Sequence, residues 1–131
     1  MTGAHILVVD DDPDLREVVT LMLEAAGYRV RQAENGQIAL ERIKEELPGL
    51  ILLDMKMPVM DGWSFAAEFH ARYAHRVPIV VITAAEDARH RAREVEAEGW
   101  IGKPFELDEL GTAVLRHLTS GEGGSGRVWL G

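Results

Sequence analysis

The chain has 131 residues, 47% of them apolar, enough for one domain with a real core. Its formal net charge of −8 argues against nucleic-acid binding, because a phosphate backbone needs a basic face. The absence of cysteine excludes a disulfide framework or a cysteine zinc site, and no apolar run approaches the roughly 20 residues of a membrane-spanning helix.

Short apolar runs alternate with longer amphipathic ones. HILVVD (5–10) reads as a buried strand and runs into three successive carboxylates, Asp10, Asp11 and Asp12. Residues 13–27 predict a helix with Leu15, Val18, Val19, Met22 and Ala26 on one face, Asp12 as N-cap, Pro13 in the first turn and Gly27 at the stop. YRVRQA (28–33) alternates like a strand nearer an edge. Residues 36–47 predict a helix with Ile38, Leu40 and Ile43 inward, broken by Pro48-Gly49. LILLD (50–54) is a second buried strand, ending in Asp54. After the loop MKMPVMDG (55–62), helix 63–75 turns Trp63, Phe65 and Phe69 toward the core. PIVVIT (78–83) is a third buried strand, ending in Thr83. Helix 86–98 has a thin apolar face of Ala88, Ala92 and Val95. A short strand, GWIG (99–102), leads to Lys103-Pro104 and a last helix, 107–119. Residues 120–131 are rich in glycine and serine and read as a flexible tail.

Five strands alternating with five helices predict an α/β domain, a doubly wound parallel sheet covered on both faces. In such sheets ligands bind beyond the carboxyl ends of the strands. There the sequence places Asp10, Asp11, Asp54, Thr83 and Lys103. Two carboxylates about 5 Å apart repel by roughly 3 kcal/mol at an effective dielectric near 20, so the cluster calls for a cation. Mg²⁺, a hard ion that takes a few carboxylates with water and phosphate oxygens, fits that need. With Lys103 it would make a site able to accept a phosphoryl group on a carboxylate. Singly, each residue has a plainer role. Asp12 is a helix cap, Asp54 could cap the loop before helix 63–75, and Thr83 could cap helix 86–98. The five histidines fall at scattered spacings and read as surface or packing residues, with no metal role.

VVDDDPDLREVV, LILLDMKMPVMDGW, VPIVVITAAED and WIGKPF stand in an order and spacing that resembles the receiver domain of two-component response regulators. The resemblance spans residues 5 to about 119 and implies the flavodoxin-like (βα)5 fold, with a receiver over 1–119 and the tail at 120–131. It implies Asp54 as phosphoacceptor. Mg²⁺ (or Mn²⁺) would be held by Asp11 directly, by Asp10 largely through water, by Asp54 and by the backbone carbonyl of Lys56. Thr83 and Lys103 would hold phosphoryl oxygens. Trp100, three residues before the lysine, would be the switch aromatic, with small Ala84 leaving room for it. Lys56 and Ala85 flank the site at positions that gate water. Pro104 follows Lys103 where the family often has a cis peptide.

Two positions depart from the family pattern. Trp100 is larger than the usual Tyr or Phe. Glu96 stands where glycine is common, so helix 86–98 is expected to be longer or differently capped. The implied partners are a histidine kinase or phosphotransfer protein and a downstream protein docking on the 86–119 face, without direct nucleic-acid or membrane binding. The implied role is that of a phosphoacceptor rather than an enzyme. No basic region followed by an apolar stretch opens the chain, so a cytoplasmic protein is expected. Two other readings compete. One is a binding module that keeps the fold without phosphorylation, against which the intact acidic, Thr and Lys set weighs. The other is a haloacid-dehalogenase-like phosphatase, whose resemblance stops at Asp10-x-Asp12.

Overall fold

The computed structural model describes residues 4–118. The expected tail at 120–131, and the last residue of the expected domain, lie outside that range. Strands and helices alternate: β1 (Ile6–Val9), α1 (Pro13–Ala25), β2 (Val30–Ala33), α2 (Gly36–Glu45), β3 (Leu50–Leu53), α3 (Gly62–Tyr73), β4 (Ile79–Ala84), α4 (Ala85–Glu94), β5 (Gly99–Lys103) and α5 (Leu107–His117). The five strands form one parallel sheet in the order β2-β1-β3-β4-β5, which puts the alternating strand β2 at an edge, as its pattern requires. No helix among the described residues is long and apolar enough to cross a membrane.

The central strands read as unbroken apolar runs because each feeds two cores. Leu7, Val9, Ile51, Leu53, Ile79 and Val81 point to one face, against Leu40 and Ile43 of α2, Phe65 and Phe69 of α3 and Ala92 of α4. Ile6, Val8, Leu50, Leu52, Val80 and Ile82 point to the other, against Val19 and Leu23 of α1 and Leu110 and Val114 of α5. Phe65 and Phe69 are fully buried and stack with centroids 6.0 Å apart. Truncating either to Ala removes about 3–5 kcal/mol of transfer and packing energy.

All five helices stop short of their expected bounds, α1 at Ala25, α3 at Tyr73 and α5 at His117 among them. In α1 the buried residues are Val19, Thr20 and Leu23, while Val18 and Ala26 face solvent. The stripe is rotated toward the threonine, whose hydroxyl is satisfied by donating to the Arg16 carbonyl at 2.8 Å. Helix α2 stops at Glu45, short of the expected Leu47. Helix α4 ends at Glu94 rather than 98, because Glu96 takes a left-handed conformation with φ 55°. The amides of Glu96 and Ala97 bond back to the carbonyls of Arg93 and Ala92, at 3.2 and 2.9 Å. This is a Schellman stop with glutamate at the position that favours glycine.

Candidate functional site at the carboxyl end of the sheet

Register builds the site. Val9 lies opposite Leu53, so Asp10 and Asp54, the next residues, emerge side by side. The Asp54 amide donates to the Val9 carbonyl at 2.9 Å, and the Asp10 amide donates to the Ala33 carbonyl at 3.1 Å. Both residues are nearly closed off, at 5% exposure for Asp10 and 8% for Asp54. Asp11 is exposed above them. One carboxylate oxygen from each of Asp10, Asp11 and Asp54 lies within 4.8 Å of the others.

Lys103 reaches over from β5. Its Nζ lies 3.4 Å from Asp54 Oδ1 and 3.5 Å from Asp10 Oδ2, so one ammonium serves two carboxylates. The balance remains acidic. Burial, and then the Asp10 charge, push the Asp54 carboxyl up to about 6, against the pull of Lys103. Burial raises Asp10 as well, opposed by the Asp12 amide and Lys103. Asp54 is therefore ionised at neutral pH but more basic than an ordinary aspartate, which favours nucleophilic use.

Neighbouring residues fix these groups. Asp10 Oδ1 accepts the Asp12 amide at 2.9 Å, and Asp12 Oδ1 in turn caps α1 by accepting the amides of Asp14 and Leu15. The three successive aspartates thus divide into a buried member, an exposed member and a cap. Arg16, which the sequence reading overlooked, donates from Nη1 to the Asp10 carbonyl at 2.7 Å and from Nε to Gln32 at 2.9 Å. No spacing signal marks it, because it acts on a main-chain atom. Gly62 is required by space: a Cβ there would lie 2.8 Å from Met55 Cα and 2.9 Å from the Asp54 carbonyl oxygen.

Neither capping alternative is realised. Asp61 caps α3 by accepting the Ser64 amide at 2.8 Å, which leaves Asp54 to the pocket. Helix α4 has Ala84 as N-cap with no side-chain bond, so Thr83, 9% exposed at the end of β4, is also left to the pocket. Thr83 pairs in register with Gly102 and Ala84 with Lys103, which links the site to β5. Gly102 is again a matter of space: a Cβ would lie 2.5 Å from Ala85 Cα. The Lys103-Pro104 peptide is cis.

The remaining expected residues lie around the pocket or away from it. Lys56 is exposed in the loop after β3, and Ala84 and Ala85 form the β4–α4 junction. Trp100 stands apart, 50% exposed on the outer face of β5. It lines a groove of about 640 Å³ with Asp108, Thr112, Arg116 and His117 of α5. Trp63 is not simply a core residue. Its Nε1 donates to Glu94 Oε1 at 2.8 Å under the Arg91 guanidinium, joining α3 to α4.

Residues 6–115 match the family model described as the response regulator receiver domain. The chain is 38% identical to the phosphate regulon transcriptional regulatory protein PhoB of Pseudomonas aeruginosa, over 93% of this chain and 56% of that one. It is 33% identical to the sporulation initiation phosphotransferase F of Bacillus subtilis, over 90% of this chain and 96% of that one. A putative response regulator from Chloroflexus aurantiacus superposes with a TM-score of 0.81 at 32% identity, covering 88% of this chain and 97% of that one. The chain spans about half the length of the first curated relatives it matches, 56% and 50% of two of them. Sequence, sheet order and strand-end acidic cluster agree: the chain belongs to the response regulator receiver domain family.

Proposed function

We propose that the protein is a phosphoacceptor switch in which Asp54 takes a phosphoryl group from a histidine kinase, a phosphotransfer protein or a small phosphodonor. The observation that carries this reading is the buried Asp54 carboxylate, raised to about 6 and 3.4 Å from Lys103. A carboxylate oxygen of Asp54 forms a bond to phosphorus as the opposite bond to the donor breaks in line. The leaving group departs with the electron pair: a histidine nitrogen picks up a proton from water, and acetate leaves as the anion. Lys103 meets one phosphoryl oxygen and the Thr83 hydroxyl donates to another.

The donor set suits Mg²⁺ or Mn²⁺. It offers only hard oxygen atoms, and its carboxylates exceed what Lys103 alone neutralises. Asp10, Asp11, Asp54 and the Lys56 carbonyl would hold the ion, which when bound supplies positive charge for the phosphoryl oxygens. The chain's own residues do the rest: Asp54 attacks, Lys103 and Thr83 orient, and Arg16 and the Asp12 amide keep Asp10 in place.

A phosphorylated Asp54 adds negative charge and acceptor oxygens. Thr83 and Lys103 sit at paired ends of β4 and β5, so drawing them inward favours a second arrangement of the β4–α4 junction and of Trp100. The groove beside Trp100 is then the surface whose shape reports phosphorylation to a downstream protein. This role is the same whether the receiver acts alone or within a longer regulator.

Intact-mass measurement with Mg²⁺ and acetyl phosphate tests the proposal. The wild-type mass rises by one phosphoryl group, and the mass of Asp54→Ala does not change. Equal uptake by the variant would remove Asp54 from its central role.

A further inference from the structure

The opposite end of the sheet holds a second cluster. His70 lies on the last turn of α3, His75 just past it, and Glu96 after α4. One ligand atom from each lies within 4.8 Å of the others. The two rings tilt against each other with centroids 4.2 Å apart. His70 Nε2 is buried without a hydrogen-bond partner.

A fourth residue sets His75. Glu98 Oε1 accepts the Ile79 amide at 2.8 Å, which anchors it to the start of β4. Its other oxygen, Oε2, lies 3.2 Å from His75 Nδ1. A proton on Nδ1 turned toward Glu98 leaves the Nε2 lone pair facing Glu96 Oε1, 3.6 Å away. Carboxylate, imidazole and metal in series is the usual way a protein orients a metal-binding histidine.

We propose that His70, His75 and Glu96 form a site for a divalent transition metal, with Zn²⁺ as the best match and Glu98 as the positioning residue. Two imidazoles, one carboxylate and a water make the four-coordinate shell that Zn²⁺ favours. Glu96 and Glu98 together balance the ion's charge. A tetrahedral shell with bonds of about 2.1 Å spaces its donors about 3.4 Å apart. His75 and Glu96, at 51% and 75% side-chain exposure, have the freedom to close that gap. The bound ion would clip the α3–β4 loop to the end of α4, a helix that buries only Ala88 and Ala92.

Calorimetric titration of the full chain with Zn²⁺ tests this, with Co²⁺ absorption reporting coordination geometry. The companion variants are His70→Gln, His75→Ala, Glu96→Gln and the double variant Asp11→Ala/Asp54→Asn. Wild type binds Zn²⁺ and Co²⁺ gives tetrahedral bands. His75→Ala and Glu96→Gln, changes at exposed positions that leave the fold intact, each weaken binding by about tenfold or more. The aspartate double variant retains the histidine-dependent binding. The proposal is overturned if the histidine and glutamate variants bind like wild type, if the aspartate variant alone loses the ion, or if no Zn²⁺ binds below about 1 mM, a weakness no ligand set of this kind should show.

Discussion

The two ends of the sheet use opposite chemistry. At the carboxyl end, carboxylates gather because parallel strands in register deliver Asp10 and Asp54 together, while Lys103 offsets only part of the repulsion. At the amino end, imidazoles and glutamates gather through helix ends and loops, where backbone strain replaces charge repulsion. Each end carries a residue that costs stability. Asp54 is a buried charge beside like charge, and Glu96 is a left-handed non-glycine residue. Such costs concentrate where a site must be held ready.

Lys103→Ala separates the ends most sharply. Loss of the ammonium slows phosphoryl uptake by about a hundredfold, as for removal of one donor from a charge-stabilising site. Zn²⁺ affinity at the histidine end stays unchanged. Stopped-flow phosphorylation and parallel titrations check this, and a Zn²⁺ response to Lys103→Ala would break the separation.

Asp54→Asn measures the electrostatic cost. Folded Asp54 holds its proton up to about 6 against 3.8 when unperturbed, so its contribution to stability falls as pH rises through that window. Removing the charge stabilises the protein at pH 7 by about 1–2 kcal/mol, after allowance for screening. The gain shrinks as pH falls from 6 toward 4. Urea titrations across this range check the sign, and a gain independent of pH would assign the effect to packing.

Glu96→Gly measures the backbone cost. Relief of the left-handed conformation stabilises by about 1 kcal/mol relative to Glu96→Ala, which keeps the strain. Both variants lose the glutamate ligand and weaken Zn²⁺ binding alike. Equal stability of the two would mean that residue 96 carries no strain.

The acidic end was legible in the sequence because every member follows an apolar run. Asp10, Asp54 and Thr83 end strands, and strand ends converge in a parallel sheet. Asp12 was legible as a cap from its place before Pro13. Arg16 was not, because its partner is a carbonyl that carries no sequence identity. The Val18 misplacement has a related cause: Thr20 competes for the buried stripe by satisfying its hydroxyl on the helix backbone. The histidine end carries no such sequence signal, since His70, His75 and Glu96 share no helical or strand period. They meet because α3 and α4 both end on this side of the sheet, where Glu96 stands just past the stop of α4.

The most direct measurement of the central claim is chemical mapping of the acceptor. After treatment with Mg²⁺ and acetyl phosphate, borohydride reduces an aspartyl phosphate to homoserine, which peptide mass spectrometry locates. Homoserine at position 54 alone is the result expected. Conversion at Asp10 or Asp11 instead, or none at any position, would contradict the account.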